Sequence, residues 1–147
     1  MLIDTHAHLQ DEKYEGDALK LIENAKQNNV QKIICASFNL QSSIDASNYA
    51  NKFDNVYATV GIHPEDCEDY CDEVENKLEC LCENKKVVAI GEIGLDYHYE
   101  GYSKEKQKFA FIKQIELSIK LHLPIVIHTR DAIGDTMEIL RQYKDKL

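Results

Sequence analysis

The sequence predicts an α/β protein in which five βα units follow one another around a parallel sheet. Short apolar runs alternate with longer amphipathic segments from one end of the chain to the other. No low-complexity tract, no linker rich in Pro, Gly or Ser, and no sequence repeat interrupts that alternation. A length of 147 residues with 44% hydrophobic content suits one domain, residues 1–147, with a sizeable core. A closed barrel of this class needs eight βα units, usually in about 250 residues. The pattern alone therefore leaves open a five-stranded open sheet or a piece of a barrel.

Strands are expected at Leu2 to His6, Lys32 to Ala36, Val56 to Ile62, Val87 to Gly91 and Pro124 to His128. Helices are expected between them, at Asp17 to Gln27, Ser42 to Phe53, Asp69 to Asn84 and Ser103 to His122, with a last one at Asp131 to Tyr143. Val74, Leu78 and Leu81 recur at i, i+4, i+7, and Ile112, Ile115 and Ile119 at i, i+3, i+7, so each set makes one apolar face. Asp17, Ser42 and Ser103 stand where N-caps belong.

Composition excludes several classes of protein. The net charge is −9, and residues 65–83 account for −8 of it with nine acids against the single Lys77. That stretch reads as the solvated face of a helix. The net charge argues against a broad basic surface for nucleic acid, because such surfaces work by neutralising phosphates with Lys and Arg, although the acidity is local and leaves only −1 on the rest of the chain. No apolar stretch approaches the roughly 20 residues of a membrane span, and Met1 runs directly into Leu2-Ile3-Asp4 with no export signal, so no membrane partner and a cytoplasmic location are expected. Cys35, Cys67, Cys71, Cys80 and Cys82 are odd in number and lack zinc-site spacing, which favours free thiols.

The chemistry is concentrated where the apolar runs end. Asp4, His6 and His8 fall at every second position of the first strand and share a face. Two imidazoles so spaced can bind one cation or serve as structural histidines. The third run ends in Gly61-Ile62-His63-Pro64, the fourth in Gly91-Glu92-Ile93-Gly94-Leu95-Asp96, and the fifth in Ile127-His128-Thr129-Arg130-Asp131. Parallel α/β proteins place their active sites at this edge. Glu92, ending the apolar run Val87-Val88-Ala89-Ile90, needs a cation or an ion-pair partner, and Arg130 is the structural alternative. Mixed histidine and carboxylate donors suit zinc, manganese or another first-row ion better than calcium, and magnesium where carboxylates dominate.

Read in order, Ile3-Asp4-Thr5-His6-Ala7-His8-Leu9, Val60-Gly61-Ile62-His63-Pro64 and Ala89-Ile90-Gly91-Glu92-Ile93-Gly94-Leu95-Asp96-Tyr97 resemble the motifs of the TatD family of metal-dependent deoxyribonucleases. Gln107 with Phe111, and Leu123-Pro124-Ile125-Val126-Ile127-His128-Thr129-Arg130, extend the resemblance along essentially the whole chain. It implies a (β/α)8 TIM-barrel fold of which about five of the eight units are present. It implies that His6 and His8 bind a first divalent metal, that Glu92 bridges to a second, and that His128 binds the second, with one or two ions of zinc, magnesium or manganese. His63 and Arg130 match positions near the substrate, where a cationic or hydrogen-bonding group holds a phosphate oxygen. The implied reaction is hydrolysis of DNA phosphodiesters at a strand end or in a single strand.

The same resemblance implies a histidine on a sixth strand and an aspartate on an eighth, the expected general base. No histidine follows His128, and Asp131, Asp135 and Asp145 fall in the last expected helix, so no catalytic base is assigned. Glu65 stands where the family often has a second histidine. The chain alone is expected to be poorly active and to self-associate through open sheet edges, with inward-facing Leu2, Ile90 and Val126 meeting water. His98 reads as a surface loop residue and His122 as a helix-end residue complementing the dipole. Two other functions fit the same residues: an amide or ester hydrolase of the same barrel type, and a non-catalytic partial-barrel interaction module.

Overall fold

When every strand pairs with the next in sequence and crossovers are right-handed, all the connecting helices fall on one face of the sheet. The computed structural model, which describes residues 1–14 and 16–147, has this topology. Strands β1 (Leu2–Ala7), β2 (Val30–Cys35), β3 (Val56–Val60), β4 (Val87–Asp96) and β5 (Ile125–Arg130) lie in the order β1-β2-β3-β4-β5, and every pair is parallel. The order never reverses, so there is no switch point of the doubly wound kind. The sheet is a curled half-barrel with β1 and β5 at its two edges.

Helices α1 (Ala18–Gln27), α2 (Leu40–Lys52), α3 (Asp72–Leu81), α4 (Lys104–Leu121) and α5 (Ile133–Gln142) connect or follow the strands. Two 3-10 turns, Glu12–Tyr14 and Pro64–Asp66, lie at strand-to-helix junctions. The core forms where helices cover the sheet: Leu78 of α3 and Phe111 and Ile115 of α4 are buried with Val56, Val60, Ile90, Ile93 and Leu95. Each such side chain contributes roughly 1.5 to 3 kcal/mol of burial. No helix among the described residues is long and apolar enough to cross a membrane. All five cysteines are free.

Several boundaries differ from the sequence expectation for local reasons. Helix α2 begins at Leu40, because Asn39 rather than Ser42 caps it: the Asn39 side chain accepts from the Ser42 amide at 2.8 Å, and the Ser42 hydroxyl accepts from the Asn39 amide at 2.9 Å. Asp17 makes no side-chain cap and pairs with Lys20 instead, whereas Ser103 caps α4 by accepting from the Lys106 amide. Helix α3 starts at Asp72 rather than Asp69, and α5 at Ile133 rather than Asp131, which has a positive φ of 52°. Asp145 likewise lies beyond α5.

The fourth strand runs to Asp96 rather than stopping at Gly91. After an irregularity between Ile90 and Ile93 it pairs with β5 again, through Ile93↔Ile127, Gly94↔His128, Leu95↔Thr129 and Asp96↔Arg130. That irregularity breaks period-two counting, and Ile90 is fully buried rather than meeting water, while Leu2 at the open edge is 58% exposed. Glycine permits the close approach of β4 to β5: a Cβ on Gly91 would lie 2.6 Å from that of Val126, and one on Gly94 only 1.9 Å from the His128 carbonyl oxygen.

Candidate metal centre

Buried hydroxyls and backbone groups knit the carboxyl ends of the strands together before any ionisable side chain is placed. The Ser37 hydroxyl donates to the Thr59 carbonyl at 2.7 Å, and the Thr59 hydroxyl to the Gly91 carbonyl at 2.6 Å. The Glu92 amide donates to the Ser37 carbonyl and the His63 amide to the Phe38 carbonyl, both at 2.7 Å. Gln114 of α4 accepts from the Ile62 amide and donates back to its carbonyl. These bonds satisfy groups that would be costly to bury unpaired, and they fix where the strand ends point.

Glu92 stands at the centre. Its side chain is 13% exposed, and its two oxygens face different histidines: Oε2 lies 3.1 Å from His6 Nε2 and Oε1 lies 3.7 Å from His128 Nδ1. His6, His8 and Glu92 form one group, and His63, Glu92 and His128 a second, with one potential ligand atom per residue lying within 4.8 Å of the others in each. The structure thus brings together the four residues expected as ligands, and adds His63. Arg130 does not pair with Glu92, the structural alternative. Its guanidinium lies 5.0 Å from the ring centroid of Tyr99 and donates to the Tyr99 hydroxyl at 3.2 Å, so it is exposed at the lip beside the group.

Two histidines have their tautomers set by oxygens that can only accept. His8 Nδ1 lies 2.8 Å from the Ala36 carbonyl, so Nδ1 carries the proton and Nε2 keeps the lone pair. His128 Nε2 lies 2.8 Å from Asp96 Oδ2. His63 is different: burial, then the neighbouring His128 ring at 4.2 Å, pushes its pKa down to about 4, although Glu92 and Asp96 oppose the shift. It is therefore a neutral hydrogen-bonding group and not the cationic one that was the alternative. Its Nδ1 accepts from the Glu65 amide at 3.3 Å, which leaves the ring proton on Nε2.

Asp96 is the residue that reading the sequence left unassigned, although it closes the fourth-strand motif. Burial raises its carboxyl pKa, but bonds from the His98 amide and His128 outweigh this and hold it below the ordinary value of 3.8. A carboxylate ending a buried strand four residues after Glu92 was the available signal. His98 stays on the surface as expected and pairs with Asp131 at 2.8 Å. His122 ends α4 in the left-handed conformation.

Histidines gathered around one shared carboxylate at the carboxyl ends of parallel strands form a candidate divalent-metal centre with nitrogen and oxygen donors. The family model described as "TatD related DNase" matches residues 3–147, and the chain belongs to the TatD family. It is 42% identical over 142 residues to the uncharacterized metal-dependent hydrolase YabD of Bacillus subtilis, covering 97% of this chain and 56% of that protein. It is 30% identical over 146 residues to the 3'-5' ssDNA/RNA exonuclease TatD of Cronobacter sakazakii, covering 99% and 56%. The crystal structure of YJJV, a TatD homolog from Escherichia coli K12, superposes with a TM-score of 0.90 at 29% identity, covering 97% of this chain and 56% of that one. The chain spans about half the length of the curated relatives it matches.

Proposed function

We propose that the whole protein is a divalent-metal-dependent nuclease that cleaves DNA phosphodiester bonds from a strand end. In this reading His6, His8, Glu92 and His128 hold one or two ions of zinc, magnesium or manganese, and His63 and Arg130 contact the substrate. The observation that carries it is Glu92, whose two oxygens face His6 on one side and His128 on the other, as a bridging carboxylate requires. The donors fit such ions: nitrogen and oxygen ligands, no thiolate, and a half-buried carboxylate that is costly to leave charged without a cation. Bound there, a divalent ion lowers the pKa of water and offsets charge developing on a phosphoryl group.

The chain's own residues supply positioning. A neutral His63 with its proton on Nε2 donates one hydrogen bond, and Arg130 supplies the positive charge at the lip. Asp96 is not the base that accepts a proton from water, because its side chain is 1% exposed and both its oxygens are engaged. A substrate held by its end also suits a surface whose charge is acidic over residues 65–83. The name of the Cronobacter relative includes RNA, so both nucleic acids belong in the test.

The test uses the full-length protein, stripped of metal and reloaded with one ion at a time, on single-stranded DNA and RNA labelled at either end. Stepwise shortening from one end, abolished by chelation and by Glu92→Gln with the fold intact, is the expected result. Turnover of amide or ester substrates alone would replace this reading with the other hydrolase class. Metal binding without turnover of any substrate would leave an interaction module.

A further inference from the structure

Nothing in the chemistry above uses Asp96, yet its side chain is 1% exposed and lies against a candidate ligand. We propose that Asp96 is a positioning residue for the metal: it holds His128 in the one tautomer whose free lone pair faces Glu92. The inference rests on the reading of His128 as a ligand.

The argument starts from what each oxygen can do. An ionised carboxylate only accepts hydrogen bonds. Asp96 Oδ1 accepts from the His98 amide at 2.9 Å, and Oδ2 lies 2.8 Å from His128 Nε2, so that nitrogen carries a proton. In the neutral ring the lone pair is then on Nδ1, the nitrogen 3.7 Å from Glu92 Oε1. A ligand needs that lone pair, and a ring free to exchange tautomers would offer an N–H to the cation for part of the time. A carboxylate behind the ring also raises the basicity of the ligating nitrogen.

Asp96 is itself held in place. Gln107, 1% exposed on α4, accepts from the Asp96 amide at 2.9 Å and donates to the Asp96 carbonyl at 2.8 Å. The β4–β5 register sets Gly94 beside His128 and Asp96 beside Arg130, which brings the carboxylate to the far side of the ring from Glu92. Helix α4, through Gln107, therefore sets the direction in which a strand-β5 histidine presents its lone pair. His8 has a weaker version of the same device, with a neutral backbone carbonyl behind its ring.

The test is made on the full-length protein with labelled histidine. In the metal-free wild type at mildly alkaline pH, nitrogen NMR should show His128 protonated at Nε2 and bare at Nδ1, its signals assigned by loss in His128→Gln. Asp96→Asn preserves shape but has one oxygen, already claimed by the His98 amide, and turns an N–H2 toward Nε2. The ring should then carry its proton on Nδ1. Calorimetric affinity for Mn2+ should fall about 10- to 100-fold in Asp96→Asn and Asp96→Ala, with circular dichroism unchanged. A wild type protonated at Nδ1 overturns the inference without recourse to any variant, as does unchanged Mn2+ affinity in a folded variant. A wild type that binds no Mn2+ defeats the metal reading itself, and this inference with it.

Discussion

On the β1 side of the candidate site, His6 and His8 stand at the end of a strand paired only with β2, and every residue from Leu2 to His6 is exposed. On the β4–β5 side, Glu92 and Asp96 project from a strand whose Ile90, Ile93 and Leu95 are fully buried, and His128 is backed by a carboxylate that α4 clamps. The His6 side chain is 42% exposed against 13% for Glu92 and 1% for Asp96. One half of the site is therefore organised by the folding of the core, and the other depends on what binds between the two. Rigid donors lower the cost of assembling a site around a ligand, whereas mobile donors are ordered when it arrives.

The largest effect is expected at the open edges. Among the described residues strands β1 and β5 each pair on one side only, and Leu2, Ile3 and Ile127 are 58%, 46% and 37% exposed. Unpaired N–H and C=O groups beside exposed apolar side chains recruit another strand. The 147-residue chain by itself should at least double its mass in solution, as read by light scattering. A monodisperse monomer at high concentration would show that the β1 edge is protected in some other way, and would remove the contrast between the two halves.

Next in size is Gly94→Ala on the braced side. Gly94 has a φ of 145°, and a Cβ there would lie 1.9 Å from the His128 carbonyl oxygen, which belongs to backbone and cannot move aside without breaking the β4–β5 ladder. The cost should be about 4 kcal/mol or more, enough to exhaust much of a domain's stability. The check is the denaturation midpoint or, if no folded protein is obtained, soluble yield. A fully stable Gly94→Ala protein would mean that β4 and β5 are not in this register.

How much was legible in the sequence follows the same division. The apolar runs marked all five strands, and the i, i+4, i+7 and i, i+3, i+7 spacings marked the third and fourth helices, because burial against a single sheet face imposes those periods. His6, His8, Glu92 and His128 stood out because each ends a strand. What stayed hidden was set by tertiary contact. The segment Glu92 to Asp96 looks like a loop, with a carboxylate at each end and a glycine between, and only pairing with β5 makes it strand. Asp96 acquires its role from a histidine 32 positions away, and Asn39 caps α2 where Ser42 had the better local credentials. Local chemistry proposes such residues, and only the fold chooses among them.

A smaller effect, and one confined to the exposed side, is expected from His6→Ala. The exposed His6 side chain reaches Glu92 with its Nε2 and packs edge-on against the His8 ring. Stability should change by less than about 0.5 kcal/mol, as for most surface substitutions. Mn2+ affinity of the full-length protein should nevertheless fall at least about tenfold, equivalent to about 1.4 kcal/mol. Calorimetry and thermal melts on the same preparation separate the two. A large loss of stability would place His6 in the braced half after all.

The smallest effect is expected at Ser103, and it reaches the site indirectly. The Ser103 side chain accepts from the Lys106 amide and so caps α4, whose first turn leads directly to Gln107, the residue that clamps Asp96. Replacing a serine cap by alanine removes one of the few partners available to the first free amides of a helix, at a cost of about 1 kcal/mol. Asp17 occupies the same position before α1 but makes no side-chain cap, so Asp17→Ala should be close to neutral and serves as the control. If α4 sets the geometry of the β4 end, Ser103→Ala should also speed amide hydrogen exchange at Asp96, which is bonded to Gln107, more than at Ile33, which is bonded to the Asn55 carbonyl far from α4. Fraying of the first turn loosens the clamp before it loosens the core. Equal protection at Asp96 in the wild type and Ser103→Ala, alongside the full loss of stability, would show that Gln107 is held by packing alone and that the cap has no influence on the site.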